Sequence, residues 1–399
     1  MAEPASKKAR TVDQSTLHSF EYKLPKVIAE IGSNHKGEVE IAKELLTLAK
    51  YSGAYCGKFQ KRTPKELLTP EQYNAPHPNP NNSYGATYGE HREFLELSID
   101  DHRELQAHCK KIGLEYSCSV WDTTSAKEIV SLNPALIKVG SPSNQHWELQ
   151  KVLRDEYTGE VHISTGMTTK EEIEKIVRFW EEGKGDAKNR VVMYNCTSGY
   201  PVPFRDVCLL DIRLLQEKYA HRVKAIGFSG HHLGIAIDMA AYALGAEWNE
   251  RHFTKDRTWK GTDHAASLEP AGLGKLCRDL VATYTAMTYK SEDILDLEKE
   301  QRAKLKWGQY NKEMAKHQSA GSHALMRSLV VFAAANASDE SSLQPSCFDR
   351  LNVGEVHLRS SEPELSMGRD LEQLLKESGE RLCERAAEYV QAPRKLASI

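Results

Sequence analysis

From about residue 26 the chain repeats one pattern of hydrophobic and polar positions: a short apolar run, a polar loop, then a stretch with apolar residues at helical spacing. The short runs are KVIAEIG (26–32), YCGKFQK (55–61), LEYSCSVW (114–121), LIKVGS (136–141), EVHISTG (160–166), RVVMYNC (190–196), KAIGFSG (224–230) and EWNERHF (247–253). Between them, residues 170–182 show the helical pattern plainly. Ile173, Ile176, Val177 and Trp180 fall on one face, with Glu171, Glu174, Lys175 and Arg178 toward water. Strands alternating with helices predict a parallel sheet. Eight such units in roughly 260 residues have the size of a closed (β/α)8 TIM barrel, an α/β fold. No GxGxxG turn follows the first run, so an open doubly wound sheet is the poorer match.

Two regions depart from the rhythm. The segment 62–98, rich in Pro, Asn, Tyr and Gly, is read as a long βα loop of the kind that forms lids or binding loops. After about residue 288 the repeat stops, and residues 288–318 read as charged, helical connectors. The expected organisation is a flexible tail over 1–23, a barrel over 24–308 and a small C-terminal region over 309–399, ending in an amphipathic helix around 369–390.

Composition narrows the class. A net charge of −3 gives no general affinity for nucleic acid or anionic membrane. No run approaches the length of a membrane span, and the first twenty residues lack the apolar core of a signal peptide. The eight cysteines show no CxxC pair or disulfide framework and read as reduced thiols of a cytoplasmic protein.

The chemistry lies where the polar residues fall. The C-terminal ends of barrel strands share one mouth. Here they carry Glu30, Lys58 with Gln60, Ser119, Lys138 with Ser141, Ser164, Ser198 with Tyr200, Ser229 with His231, and Glu250 with His252. Any one of these has a bland reading as rim or filler, but all eight strand ends bearing phosphate- or metal-competent groups is harder to dismiss. Two lysines with serine hydroxyls suit a small anion bearing phosphate and carboxylate. His231 and His252 offer two neutral nitrogens to a divalent cation with open positions. His232 is a rival ligand, although adjacent side chains diverge.

The chain resembles the sialic acid synthase family (N-acetylneuraminate or N-acylneuraminate-9-phosphate synthase) over roughly residues 24–308. The matching stretches include VIAEIGSNHKGEVEIAKELLTLAK (27–50), KFQ (58–60), ISTGMTTKEEIE (163–174), YNCTSGYPVPFRDVCL (194–209), GFSGHHLGIA (227–236) and ERHFTKDRTWKGTDHAASLEP (250–270). The resemblance implies a metal-dependent transferase. His231 and His252 would hold the cation, Mn2+ in the family, with Mg2+ as the alternative. It places phosphoenolpyruvate on Lys58, Lys138, Ser119, Ser141, Ser164 and Ser229. Glu30, Gln60, Tyr200 and Asp263 would face an aldehyde sugar or the reacting atoms. Ser198 stands where many members have Asn, which weakens or rearranges its substrate contact, and Gly230 replaces a common Asp. The C-terminal region follows the order of elements of an antifreeze-like domain but lacks its usual glycines and basic residues. It is read as a degenerate copy, with Arg327 the candidate donated arginine, against an unrelated helical tail. A homodimer goes with the former reading.

The implied reaction joins phosphoenolpyruvate to an N-acylmannosamine-type sugar or its 6-phosphate and releases phosphate by C–O cleavage. Glu30 and Glu250 are the candidate bases. A 6-phosphate would need further cations, for which Lys61, Arg62 and Arg92 are available; the competing reading of these three is ordinary surface charge. A catalytically silent sugar- or phosphoenolpyruvate-binding paralogue and a pyruvate aldolase are the rival functions.

Overall fold

The eight apolar runs form eight adjacent parallel strands that close on themselves. The computed structural model of the chain describes residues 21–305. In order the strands are β1 (Lys26–Gly32), β2 (Cys56–Lys61), β3 (Glu115–Val120), β4 (Leu136–Val139), β5 (Glu160–Ser164), β6 (Val191–Cys196), β7 (Ala225–Gly230) and β8 (Trp248–His252). β8 pairs with β1, setting Glu30 opposite His252 and sealing the barrel. Their positions follow the apolar runs to within two residues at most boundaries, because both faces of a closed parallel sheet are buried and the runs have to be long in apolar residues.

Alternation within each strand sorts side chains between two layers. Val27, Ala29 and Ile31 of β1 point outward into the main core, whereas Ile28 joins a separate inner cluster. That cluster, Ile28, Cys56, Leu136, Val192, Tyr194 and Trp248, fills the barrel interior. A β-carbon on Gly227 would come within 2.7 Å of the Tyr194 ring, so the bare glycine is what lets this ring occupy the interior.

Helix α1 (Val39–Tyr51) follows β1. The segment after β2 is not one irregular loop: it contains α2 (Pro64–Leu67), α3 (Pro70–Asn74) and α4 (Tyr88–Phe94) before α5 (Ile99–Ile112). Capping boxes at Thr69 with Gln72, Thr87 with Glu90, and Ser98 with Asp101 start α3, α4 and α5, each satisfying amides that a helix start leaves bare. Then come α6 (Thr123–Leu132), α7 (Trp147–Glu156), α8 (Lys170–Glu181), α9 (Ala187–Arg190), α10 (Asp211–Tyr219), α11 (Ala236–Ala243), α12 (Pro270–Ala286) and α13 (Asp296–Leu305). On α8, Ile176, Val177 and Trp180 are buried as the spacing predicts.

The chain divides into two compact units between Tyr289 and Lys290. The expected antifreeze-like region and Arg327 lie outside the described residues. No helix among the described residues is long and apolar enough to cross a membrane.

Candidate active site

Because successive inward positions climb each strand by two residues, the residue above each member of the apolar plug is fixed by register. Above Ile28, Cys56, Leu136 and Trp248 stand Glu30, Lys58, Lys138 and Glu250. All four are buried, with no more than 6% of their surface exposed. Lys58 meets Glu30 and donates to Ser119 Oγ at 2.6 Å, and its Nζ lies 3.6 Å from Glu250. Lys138 donates to both Glu250 oxygens at 2.9 Å, and Ser229 donates to one of them at 3.0 Å. Two ammonium groups and two carboxylates therefore share a water-poor space, each charge held by its opposite.

The electrostatics follow from that pairing. Burial works against ionisation of Glu250, but Lys138 and Lys58 outweigh it and hold the carboxyl well below the usual range. Burial likewise works against the Lys58 charge, yet Glu250 and Glu30 raise it above the ordinary lysine range. Lys138 goes the other way: burial dominates, and Glu250 only partly offsets it. Its Nζ also sits 3.8 Å from the centre of the Tyr194 ring.

Around this centre the other predicted residues converge. Gln60 donates to Glu30 Oε1 at 2.6 Å. A β-carbon on Gly166 would lie within 2.6 Å of both the Ser141 and Ser198 hydroxyls, so these two come together over a bare backbone. The Gly166 amide donates to Ser141 Oγ at 3.1 Å. Ser164 is buried at the end of β5, where its carbonyl accepts from Asn144 at 2.9 Å.

The two histidines meet as well. The His231 and His252 rings are 5.5 Å apart, and Tyr200, largely exposed, packs 4.4 Å from His231 and 5.8 Å from His252. His231 Nδ1 lies 3.1 Å from the Thr197 carbonyl, which can only accept. The proton is thereby placed on Nδ1, and Nε2 keeps a free lone pair. Burial, then the neighbouring His252, pushes His231 down to about 3, so it stays neutral at ordinary pH. His252 Nδ1 is buried without a hydrogen-bond partner and lies 4.0 Å from the Asp263 carboxylate. Burial resists the Asp263 charge, but His252 and Arg62 hold its carboxyl below the usual range. These two imidazoles bring ring nitrogens to the mouth. Among the described residues no group of three His, Cys, Asp or Glu side chains is arranged to hold a metal ion.

His232, the rival ligand, faces the opposite way. It is fully buried outside the barrel, 3.2 Å from Asp238, which pairs with Arg251 at 2.6 Å. Arg251 also donates to the His232 and Gly234 carbonyls at 2.6 and 2.8 Å, pinning the turn that presents His231.

Surface charge does not describe the basic residues at the end of β2 and in the segment that follows it. Lys61 and Arg62 are buried and Arg92 is half-buried. Arg62 pairs with Glu96 at 3.2 Å, stacks 4.3 Å from the Trp121 ring and also donates to Gln60. Glu96 and Trp121 carried no signal as site residues in sequence, since their role depends on partners distant along the chain.

The sequence model of the NeuB family matches residues 45–292. An N-acetylneuraminate-9-phosphate synthase of Drosophila melanogaster is 39% identical over 66% of this chain and 67% of its own length. One of Homo sapiens is 36% identical over 68% of this chain and 74% of its own. The crystal structure of an N-acetylneuraminic acid (sialic acid) synthetase from Leptospira borgpetersenii serovar Hardjo-bovis, in complex with citrate, superposes with a TM-score of 0.60 at 25% identity. It covers 73% of this chain and 97% of that one.

Proposed function

Since the chain belongs to the NeuB family, we propose that it is a nonulosonic acid synthase: it condenses phosphoenolpyruvate with an N-acylmannosamine-type sugar or its 6-phosphate. C3 of phosphoenolpyruvate bonds to the aldehyde carbon, water adds at C2, and C–O cleavage releases phosphate. The observation that carries this reading is the buried set of Lys58, Lys138, Glu30 and Glu250 at the strand ends, beside the paired rings of His231 and His252.

Lys58 and Lys138, with Ser119, Ser141, Ser164 and Ser229, present cationic and hydroxyl donors to the phosphate and carboxylate of phosphoenolpyruvate. Ser198 stands beside Ser141 and serves the same anion. As C3 attacks, positive charge develops at C2. Glu250, held ionised between the lysines, is a weak proton acceptor but a fixed counter-charge for that cationic carbon. Glu30, fastened by Gln60 and Lys58, orients the incoming water. Tyr200, Gln60 and Asp263 face the acceptor sugar.

The donor set also fits a divalent cation, Mn2+ or Mg2+: the lone pair left on His231 Nε2, the unpartnered buried nitrogen of His252 and the nearby Asp263 carboxylate suit one. His231 and His252 would hold it, and it would supply Lewis-acid polarisation of the aldehyde oxygen.

The test is phosphate release from phosphoenolpyruvate with Mn2+, offering N-acetylmannosamine, its 6-phosphate and mannose 6-phosphate separately. Turnover with one sugar, lost on chelation and in His231→Ala, is expected. Folded protein that binds Mn2+ yet releases phosphate with none of them would sink the proposal.

A further inference from the structure

Within the plug, Tyr194 reaches the reacting centre. It is fully buried on β6 and pairs with Gly227 of β7, whose missing β-carbon leaves room for the ring. Lys138 Nζ sits 3.8 Å from the ring centre and donates to both Glu250 oxygens at 2.9 Å. An ammonium has three N–H donors, so the third is left for a substrate. At its other end the ring is fixed by its hydroxyl, 2.7 Å from His162 Nδ1. His162 Nε2 lies 3.5 Å from Glu160, a carboxylate that also accepts from Lys224 at 2.9 Å. The imidazole proton belongs on Nε2, facing that carboxylate, so Nδ1 accepts and the phenol donates. Burial pushes His162 down to about 4, which keeps the imidazole a neutral acceptor.

Charge balance gives this ring a purpose. Lys58 and Lys138 are matched in formal charge by Glu30 and Glu250, yet phosphoenolpyruvate brings both a phosphate and a carboxylate. A further carboxylate beneath Lys138 would hold the ammonium but repel that anion. An aromatic face attracts a cation through its quadrupole while carrying no formal charge, and the attraction is strongest out of water. Burial works against the Lys138 charge and Glu250 only partly offsets it, so the ammonium needs such support. We propose that Tyr194 is a positioning residue: its ring face holds the Lys138 ammonium charged and aimed at the phosphoenolpyruvate anion, with His162 as the anchor of the ring. The inference rests on the synthase reading and gives one residue of the plug a part in binding that anion.

The decisive experiment drains the ring of electrons without changing its size. Tyr194→Phe keeps the aromatic face, and mono-, di- and trifluorinated forms of that phenylalanine keep nearly its volume while each fluorine weakens the quadrupole. Phosphate release is measured with the better acceptor of N-acetylmannosamine and its 6-phosphate. Tyr194→Phe should hold KM for phosphoenolpyruvate within about threefold of wild type, and each fluorine should raise it, by about tenfold in all with three. KM for the sugar should move by less than about twofold along the series. Tyr194→Leu, which removes the face, should raise KM for phosphoenolpyruvate about 30-fold; where that variant fails to fold, the fluorine series decides alone. A flat series, or equal rises in both KM values, would overturn the assignment. If wild type releases phosphate with neither sugar, the synthase reading has failed, and calorimetric titration with phosphoenolpyruvate then judges the ring by itself. A Kd that climbs with each fluorine supports the assignment; a flat Kd, or no binding, refutes it.

Discussion

Inside one barrel, Ile28, Cys56, Leu136, Val192, Tyr194 and Trp248 fill the lower half of the interior with apolar and aromatic volume. In the upper half, equally hidden from water, stand Glu30, Lys58, Lys138 and Glu250. Four of the same strands supply both, two residues apart. The lower half does what a core does: each large apolar side chain removed from water stabilises by about 1.5–3 kcal/mol. The upper half gains little, because ion pairs taken out of water lose hydration about as large as their attraction. Burial is therefore not one property here. Below, it holds the fold together; above, it fixes opposite charges against one another out of bulk water. Tyr194 joins the halves, with its hydroxyl 2.7 Å from His162 Nδ1 and its ring under Lys138.

The sharpest way to break this contrast is to make the upper half resemble the lower. Lys138→Met combined with Glu250→Leu removes both members of a pair, and turnover should fall at least about 10³-fold in phosphate release. Unfolding by urea should meanwhile show stability unchanged or raised by about 1–4 kcal/mol. A strongly destabilised double variant would mean that the charges also hold the barrel together. The converse change is Trp248→Ala in the plug. Stability should drop by about 3–5 kcal/mol, while turnover per folded molecule stays within about tenfold. Comparable loss of turnover would erase the distinction between the halves.

The smallest effect tests the layer between them. Burial lowers His162 to about 4, with the Glu160 carboxylate only partly opposing it. Unfolded, the same imidazole titrates near 6.5. From pH 6.5 down to about 4 the unfolded state therefore binds a proton that the folded state refuses, and stability falls as pH falls. The contribution is at most about 1.4 kcal/mol per pH unit and is complete above pH 6.5. Urea midpoints measured across this range should show a shallower slope in His162→Gln. Identical slopes would show that His162 takes up its proton equally readily folded and unfolded.

The strands were legible because each is short, apolar and bounded by polar loops, and the mouth residues were legible because strand ends in a closed barrel converge. What stayed hidden has a physical reason in each case. Lys138 and Glu250 are 112 residues apart, and their pairing exists only once the barrel closes. Arg62 looked like surface charge because its partners, Glu96 and Trp121, arrive from other loops. The outward turn of His232 depends on Asp238 and Arg251 beneath it. The helices inside 62–98 are a different matter. Thr69 with Gln72 and Thr87 with Glu90 are local capping pairs, readable at three-residue spacing, that the abundance of Pro and Asn obscured.

The seam between β1 and β8 has a temporal consequence. Glu30 is opposite His252, and the Phe253 amide donates to the Glu30 carbonyl at 2.8 Å. The Glu30 carboxylate finds Lys58 and Gln60 on the very next strand, whereas the Glu30 backbone must wait for the last strand of the barrel. Until then the nascent chain carries Lys58 and Lys138 without Glu250, and the set of four charges is incomplete. Closing that long-range contact is also the entropically demanding step of assembly, so completion of the charge cluster and completion of the barrel arrive as one event.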